Sequence, residues 1–207
     1  MTADPLAETR EKPTAVPPKR PRADAQRNRE RLAEVAALEF AEHGIETSLE
    51  EIARKAGVGI GTLYRHFPSR EHLVEVVYRR EVEALSVAAD ELAARHPPDV
   101  ALSEWMQRFV DYIAAKRGMA NSLKLLSASN SELFSSSWGM ISRALSRLLD
   151  AARAEGLIRE DIDVSDVFHA LSGIYAAPAS PDWRDRSRRL VSLLMDGLRA
   201  GARRGQP

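Results

Sequence analysis

The chain contains no cysteine among its 207 residues. That excludes a disulfide framework, a thiolate nucleophile and any zinc site built on cysteine. It carries no net charge either, since 30 Lys and Arg balance 30 Asp and Glu. A molecule basic over its whole surface, as expected of a sequence-blind nucleic-acid binder, is thereby opposed. No apolar run approaches the length that spans a bilayer, and the N-terminus lacks the apolar core of a secretory signal. A soluble, cytoplasmic protein without membrane contact is the expectation. Asn and Gln are few while Ala, Arg and Leu abound, which suits helices. A chain of this length can bury a sizeable core, as one large or two small domains.

Residues 1–22 hold Pro5, Pro13, Pro17, Pro18 and Pro21 with many charges and few large apolar side chains. Such a segment cannot bury enough surface to offset its ordering entropy, so a disordered tail is expected. Its PKRPR end is a solvated leader or an arm that contacts DNA. From Lys19 to Arg31, six basic residues (Lys19, Arg20, Arg22, Arg27, Arg29 and Arg31) outweigh Asp24 and Glu30. This local excess is placed to attract phosphates although the whole molecule is neutral.

Apolar residues then recur at three and four, the period of a helix, through the rest of the chain. Leu32, Val35, Ala36 and Phe40 mark a first helix from about Asp24 to Gly44. Ser69 with His72 has N-cap character and opens a long helix that His96-Pro97-Pro98 ends. Leu102 to Ile113 forms another stripe with a stop at Gly118, and Leu123 to Leu126 a short one. The Ser-rich stretch 127–137 blurs the next boundary. Phe134 to Leu149 follows, closed by Gly156; Val164 to Tyr175 and Trp183 to Leu198 complete the chain. No segment alternates with period two, so the fold is read as all-α.

The most informative stretch is Thr47–Phe67, TSLEEIARKAGVGIGTLYRHF. Ser48 and Glu51 form an S-x-x-E capping box that starts a short helix. Gly57 supplies the left-handed residue that stops it. After Gly57-Val58-Gly59, the run Ile60–Phe67 makes barely two turns, with Leu63 and Phe67 on one face. Two helices joined by so short a glycine turn describe a helix-turn-helix, whose second helix enters the major groove. Because Leu63 and Phe67 fill the inner face, Tyr64 points away. Arg65 is the best polar candidate for reading bases, since Ile60 offers only apolar contact and Gly61 only backbone. Ser48 and Arg70 lie at helix starts flanking the unit and are expected to anchor phosphates.

From about Arg29 to Val77, including AEHGI at Ala41–Ile45 and TLYRHFPSREHL, the chain resembles the tetracycline-repressor (TetR) family of bacterial transcription regulators. The resemblance implies that Tyr64 and His66 meet phosphate and that Thr62 touches phosphate or a thymine methyl. It divides the chain at residues 23–70 (DNA-binding domain) and 71–207 (effector and dimerisation domain), with about nine helices in all. It implies a repressor that binds a double-stranded, palindromic operator as a homodimer and is released by a small apolar or amphipathic effector. No cofactor is implied.

Other motifs lead nowhere. A G-x-G-x-x-G register from Gly57 puts Thr62 at the third glycine, and no strand precedes it. Asp161-x-Asp163 opens like a calcium loop but lacks its Gly and Glu, so Asp163 and Asp166 are read as a helix start. The five histidines show no metal-ligand spacing. The aromatic residues Trp105, Phe109, Tyr112, Trp138 and Tyr175, with Leu126, Ile141 and His169, either fill the core or line an effector pocket. The last two long helices carry wide apolar stripes and are expected to form a four-helix dimer contact through Val167, Leu171, Ile174, Leu190, Leu194 and Leu198.

Overall fold

The computed structural model describes residues 21–44, 47–176 and 180–202. Among the described residues every regular element is a helix, and there are nine: α1 Pro21–His43, α2 Leu49–Lys55, α3 Ile60–His66, α4 Arg70–Ala93, α5 Pro98–Gly118, α6 Ala120–Ser129, α7 Ser131–Ala154, α8 Val164–Ala176 and α9 Trp183–Arg199. The first helix starts at Pro21 rather than at Asp24, because proline's fixed φ suits a first helical turn that has no use for its amide. The end of the tail expected over 1–22 is therefore helix. Residues 1–20, with most of the PKRPR run, lie outside the described residues, as do Ile45, Pro178 and the side chain of Tyr175.

Local chemistry sets the boundaries. Gly44, Gly57 and Gly156 have φ of 65°, 68° and 66°, a backbone region that costs side-chain-bearing residues dearly. At Gly57 the amides of Gly57 and Val58 return to the carbonyls of Arg54 and Ala53, both at 3.0 Å, closing α2 in a Schellman motif. Only half of the expected capping box at Ser48 forms. Its hydroxyl accepts from the Glu51 amide at 3.0 Å, but the Glu51 carboxylate turns to Arg54 at 2.5 Å. A guanidinium one turn ahead outcompetes a neutral backbone amide for that carboxylate. Ser69 caps α4 on the His72 amide at 3.2 Å. Asp163 and Asp166 cap α8 reciprocally, each carboxylate accepting the other's amide at 2.9 Å.

Leu32, Ala36, Phe40, Ile52, Leu63 and Phe67 are fully buried and form the centre of the three-helix head. The body is built around α5, which packs on α1, α4, α7 and α9. Helix α4 carries one buried stripe from Leu73 to Leu92 and touches α1, α5 and α7, joining head and body in one continuous core. The sequence suggests that Gly118 merely stops α5. Its place in the fold is different: a Cβ there would stand 1.7 Å from the Phe40 carbonyl oxygen. Helices α1 and α5 meet backbone to backbone, and glycine leaves the room.

Candidate nucleic-acid interface

Helix α3 has a sharp division of faces. Leu63 is fully buried and Phe67, at its C-cap, is buried with it. Tyr64 is 46% exposed. Arg65 and Gly61 are exposed, whereas Thr62, His66 and Ile60 are half-buried, Ile60 against the core. Neither Tyr64 nor Arg65 has a hydrogen-bond or ion-pair partner among the described residues. Ser48 is exposed at the start of α2, its oxygen already accepting from Glu51.

Arg70 departs from expectation. Its guanidinium donates to the Thr47 carbonyl at 2.7 Å and lies 5.3 Å from the centre of the Phe40 ring. It thus fastens the segment before α2 to the start of α4, over the Phe40 ring of α1, where the sequence suggests a phosphate anchor. The cause is the Thr47 carbonyl left over at the turn, which an arginine at the start of α4 can reach.

Residues that sequence reading missed hold the unit in place. The carboxylate of Glu39, buried in α1, accepts from Lys55 Nζ at 2.7 Å, and the Thr47 hydroxyl donates to the Glu39 carbonyl at 3.1 Å. The hydrogen bond from Lys55 to Glu39 raises the lysine's pKa above its ordinary value. Arg29 donates to the carbonyl of His66 at the end of α3, at 2.9 Å. These partners are far apart in the chain, and no local pattern announces them. Glu39, Glu42 and His43 bring ligand-type atoms within 4.8 Å of one another, but Lys55 already neutralises Glu39.

The start of α3 is bare. Gly59 gives no side-chain cap, and a Cβ on Gly61 would meet nothing within 4 Å. Neither packing nor φ therefore calls for glycine at 61. Gly61→Ala should stabilise the chain by about 0.4–1 kcal/mol, because alanine costs less entropy in a helix. It should also weaken DNA binding if the duplex comes close to this backbone. Thermal unfolding and DNA titration check the two halves separately; unchanged affinity would place the duplex elsewhere.

The remaining expected sites are divided by the fold. Trp105, Phe109, Tyr112 and Ile141 are all buried, and Trp105 Nε1 donates to the Leu85 carbonyl at 2.9 Å. Phe109 stacks on Trp105 at 5.8 Å and meets Tyr112 at 5.5 Å, so these rings pack on one another in the core. Leu126 is half-buried, while Trp138 and His169 are exposed. Trp138 leans on Phe168 at 4.5 Å, and His169 Nδ1 lies 2.7 Å from the Ser165 carbonyl. Of the six expected dimer residues, Val167, Leu171 and Leu198 are buried in the chain's own core, because α8 and α9 pack on each other and on neighbouring helices. Ile174 and Leu194 are half-buried and Leu190 is exposed. Leu193, which the stripe omitted, is the most open at 66%. Together they border an apolar groove of about 500 Å³ between α8 and α9.

Residues 32–77 match the profile of bacterial regulatory proteins of the tetR family. Residues 97–200 match that of the C-terminal domain of SbtR-like transcriptional regulators. A TetR transcriptional regulator of known structure from Streptomyces coelicolor is 46% identical, with a TM-score of 0.74 over 83% of this chain and 98% of that one. A TetR regulator from Mycobacterium vanbaalenii is 35% identical, with a TM-score of 0.68 over 86% of this chain and 98% of that one. An HTH-type transcriptional regulator of Staphylococcus aureus is 43% identical over 63 residues, 30% of this chain and 34% of the relative. The chain thus matches about a third of the length of such curated relatives.

Proposed function

The chain belongs to the TetR family of transcriptional regulators, and on that premise we propose that it is a repressor: a homodimer that holds a palindromic operator and releases it when a small molecule binds. The observation that carries this reading is the outer face of α3. A phenol and a guanidinium stand there without partners among the described residues, over an inner face fixed by Leu63 and Phe67. Tyr64 serves the phosphates and Arg65 the base edges; Thr62, His66 and Ser48 add backbone contacts, and Ile60 and Gly61 let the duplex approach.

Tyr64→Phe should weaken binding to every duplex alike, because a phosphate contact carries no sequence information. Arg65→Ala should lower discrimination as well, by about 1–3 kcal/mol where the guanidinium is bidentate to guanine. Fluorescence-anisotropy titrations on a duplex carrying the chain's own promoter and on a scrambled one separate the two. Equal losses on both duplexes would move Arg65 to the phosphate class. No binding of wild type to any duplex would end the reading.

Support for the dimer comes from the groove between α8 and α9. Exposed leucines at 190 and 193 beside half-buried Ile174 and Leu194 make an apolar strip that a second copy covers by two-fold symmetry. Effector release rests on family membership. A thermal-shift screen for small molecules that raise the melting point and abolish DNA binding tests that part.

A further inference from the structure

We propose that Arg29 is a positioning residue for DNA reading, holding the recognition helix α3 from behind and touching no phosphate. The inference rests on the DNA-reading assignment above. Helix α3 has only seven residues, too few to persist by itself, so its attitude must be imposed by neighbours. Its start has no side-chain cap. Its end is where the hold is. The Phe67 amide closes the last turn on Leu63 at 2.8 Å, which leaves the His66 carbonyl without a partner inside the helix. Arg29 Nη1 donates to that carbonyl at 2.9 Å, and the guanidinium carbon lies 4.7 Å from the centre of the Phe67 ring. One planar cation therefore satisfies the orphan acceptor, faces the negative end of the helix and covers the ring that anchors it.

The same turn of α1 is itself fixed. Arg80, from α4, donates to the Glu30 carbonyl at 3.1 Å and reaches the Glu34 carboxylate at 2.5 Å. Arg29 thus projects from a clamped stretch of α1, and a shift of its head group would rotate α3. Its neighbours in the basic run behave otherwise: Arg31 is exposed and bonds Asn28 at 3.3 Å, and Arg27 pairs with Asp24. Charge alone makes all three phosphate candidates; geometry separates Arg29 from the rest.

The test uses the full-length protein, Arg29→Ala and Arg29→Lys, with a duplex enriched from a random library by wild type and a scrambled control. Circular dichroism first establishes that the variants keep their helices. Each is then titrated over a range of salt concentrations. Both variants should lose about tenfold or more on the enriched duplex, the scale of one charge-assisted hydrogen bond. On the control, where displacing α3 costs phosphate contacts but no base reading, they should lose less. The slope of log affinity against log salt should stay at the wild-type value. Lysine should not rescue, because it keeps the charge but not the planar stack. Equal loss on both duplexes, a slope shallower by about 0.9 and rescue by lysine would make Arg29 a phosphate ligand and overturn the proposal. So would full activity of Arg29→Ala. Hydrogen exchange without DNA gives an independent reading. The Phe67 amide should exchange faster in Arg29→Ala while the Ala56 amide, at the end of α2, keeps its rate; unchanged exchange at Phe67 would show that Arg29 does not hold α3. Failure of wild type to enrich any duplex sinks the DNA-reading assignment instead, and the exchange data still decide whether Arg29 holds the helix.

Discussion

Gly118→Ala should lower the stability of the chain and loosen the joint between head and body. The added Cβ would lie 1.7 Å from the Phe40 carbonyl oxygen and 2.5 Å from its carbon. Both are backbone atoms in the last turns of α1, so no side chain can swing aside; one helix must move. Overpacking of this kind costs about 1–3 kcal/mol or more. The usual gain of alanine over glycine in a helix, about 1 kcal/mol, offsets only part of it. A fall in melting temperature of several degrees is expected, since 1 kcal/mol is worth about 2–4 °C in a chain of this size. DNA binding should fall with it, because α1 carries Arg29 and Glu39. The contrast with Gly61→Ala makes the test sharp: the same substitution, in two helices, with opposite signs. A Gly118→Ala protein as stable as wild type would refute the close contact of α1 and α5.

Leu193→Glu should yield a folded monomer with weak DNA binding. The side chain is 66% exposed and contributes little to the chain's own core. In the proposed dimer it sits beside the α8–α9 groove, and a two-fold axis places two new carboxylates in one contact. An unpartnered buried charge costs several kcal/mol, enough to raise the dimer dissociation constant by orders of magnitude. Leu194 and Val191 set the scale of the controls. Leu194 is half-buried, so glutamate there should hurt both the dimer and the fold. Val191 is fully buried, and Val191→Glu should unfold the body outright. Sedimentation equilibrium with circular dichroism distinguishes these outcomes. A Leu193→Glu protein that remains a dimer of unchanged affinity contradicts the interface.

The contrast among these positions shows what the sequence reveals and what it conceals. Periodicity of three and four, glycines at positive φ and N-caps such as Ser69 are local signals, so the helices and the helix-turn-helix are legible from the chain alone. The outward direction of Tyr64 and Arg65 is legible too, because Leu63 and Phe67 leave them nowhere else to go. Periodicity does not tell which of several apolar faces a helix covers within its own chain. Val167, Leu171 and Leu198 therefore read like surface-stripe residues but are buried within the single chain, and the exposed Leu193 does not stand out in the stripe. The aromatic cluster is ambiguous in the sequence for the same reason: rings at helical spacing suit a core or a cavity alike, and in the fold Trp105, Phe109 and Tyr112 pack against one another. Arg29, Glu39 and Arg70 are hidden differently. Their partners lie 37, 16 and 23 residues away, and a charged residue in a basic run gives no sign that its head group is turned inward.

In the proposed repressor, two copies of this chain present paired α3 helices to a symmetric duplex. Enrichment of DNA from a random library by the wild-type protein, followed by sedimentation of the enriched complex, tests it most directly. A two-fold pair of α3 helices should select an inverted repeat whose half-sites lie about 34–36 Å apart, or a multiple of that, with two or more chains in even number on each duplex. Enrichment that depends on Arg65 completes the prediction. Sequences without an inverted repeat, a single chain per duplex, or no enrichment at all would contradict it.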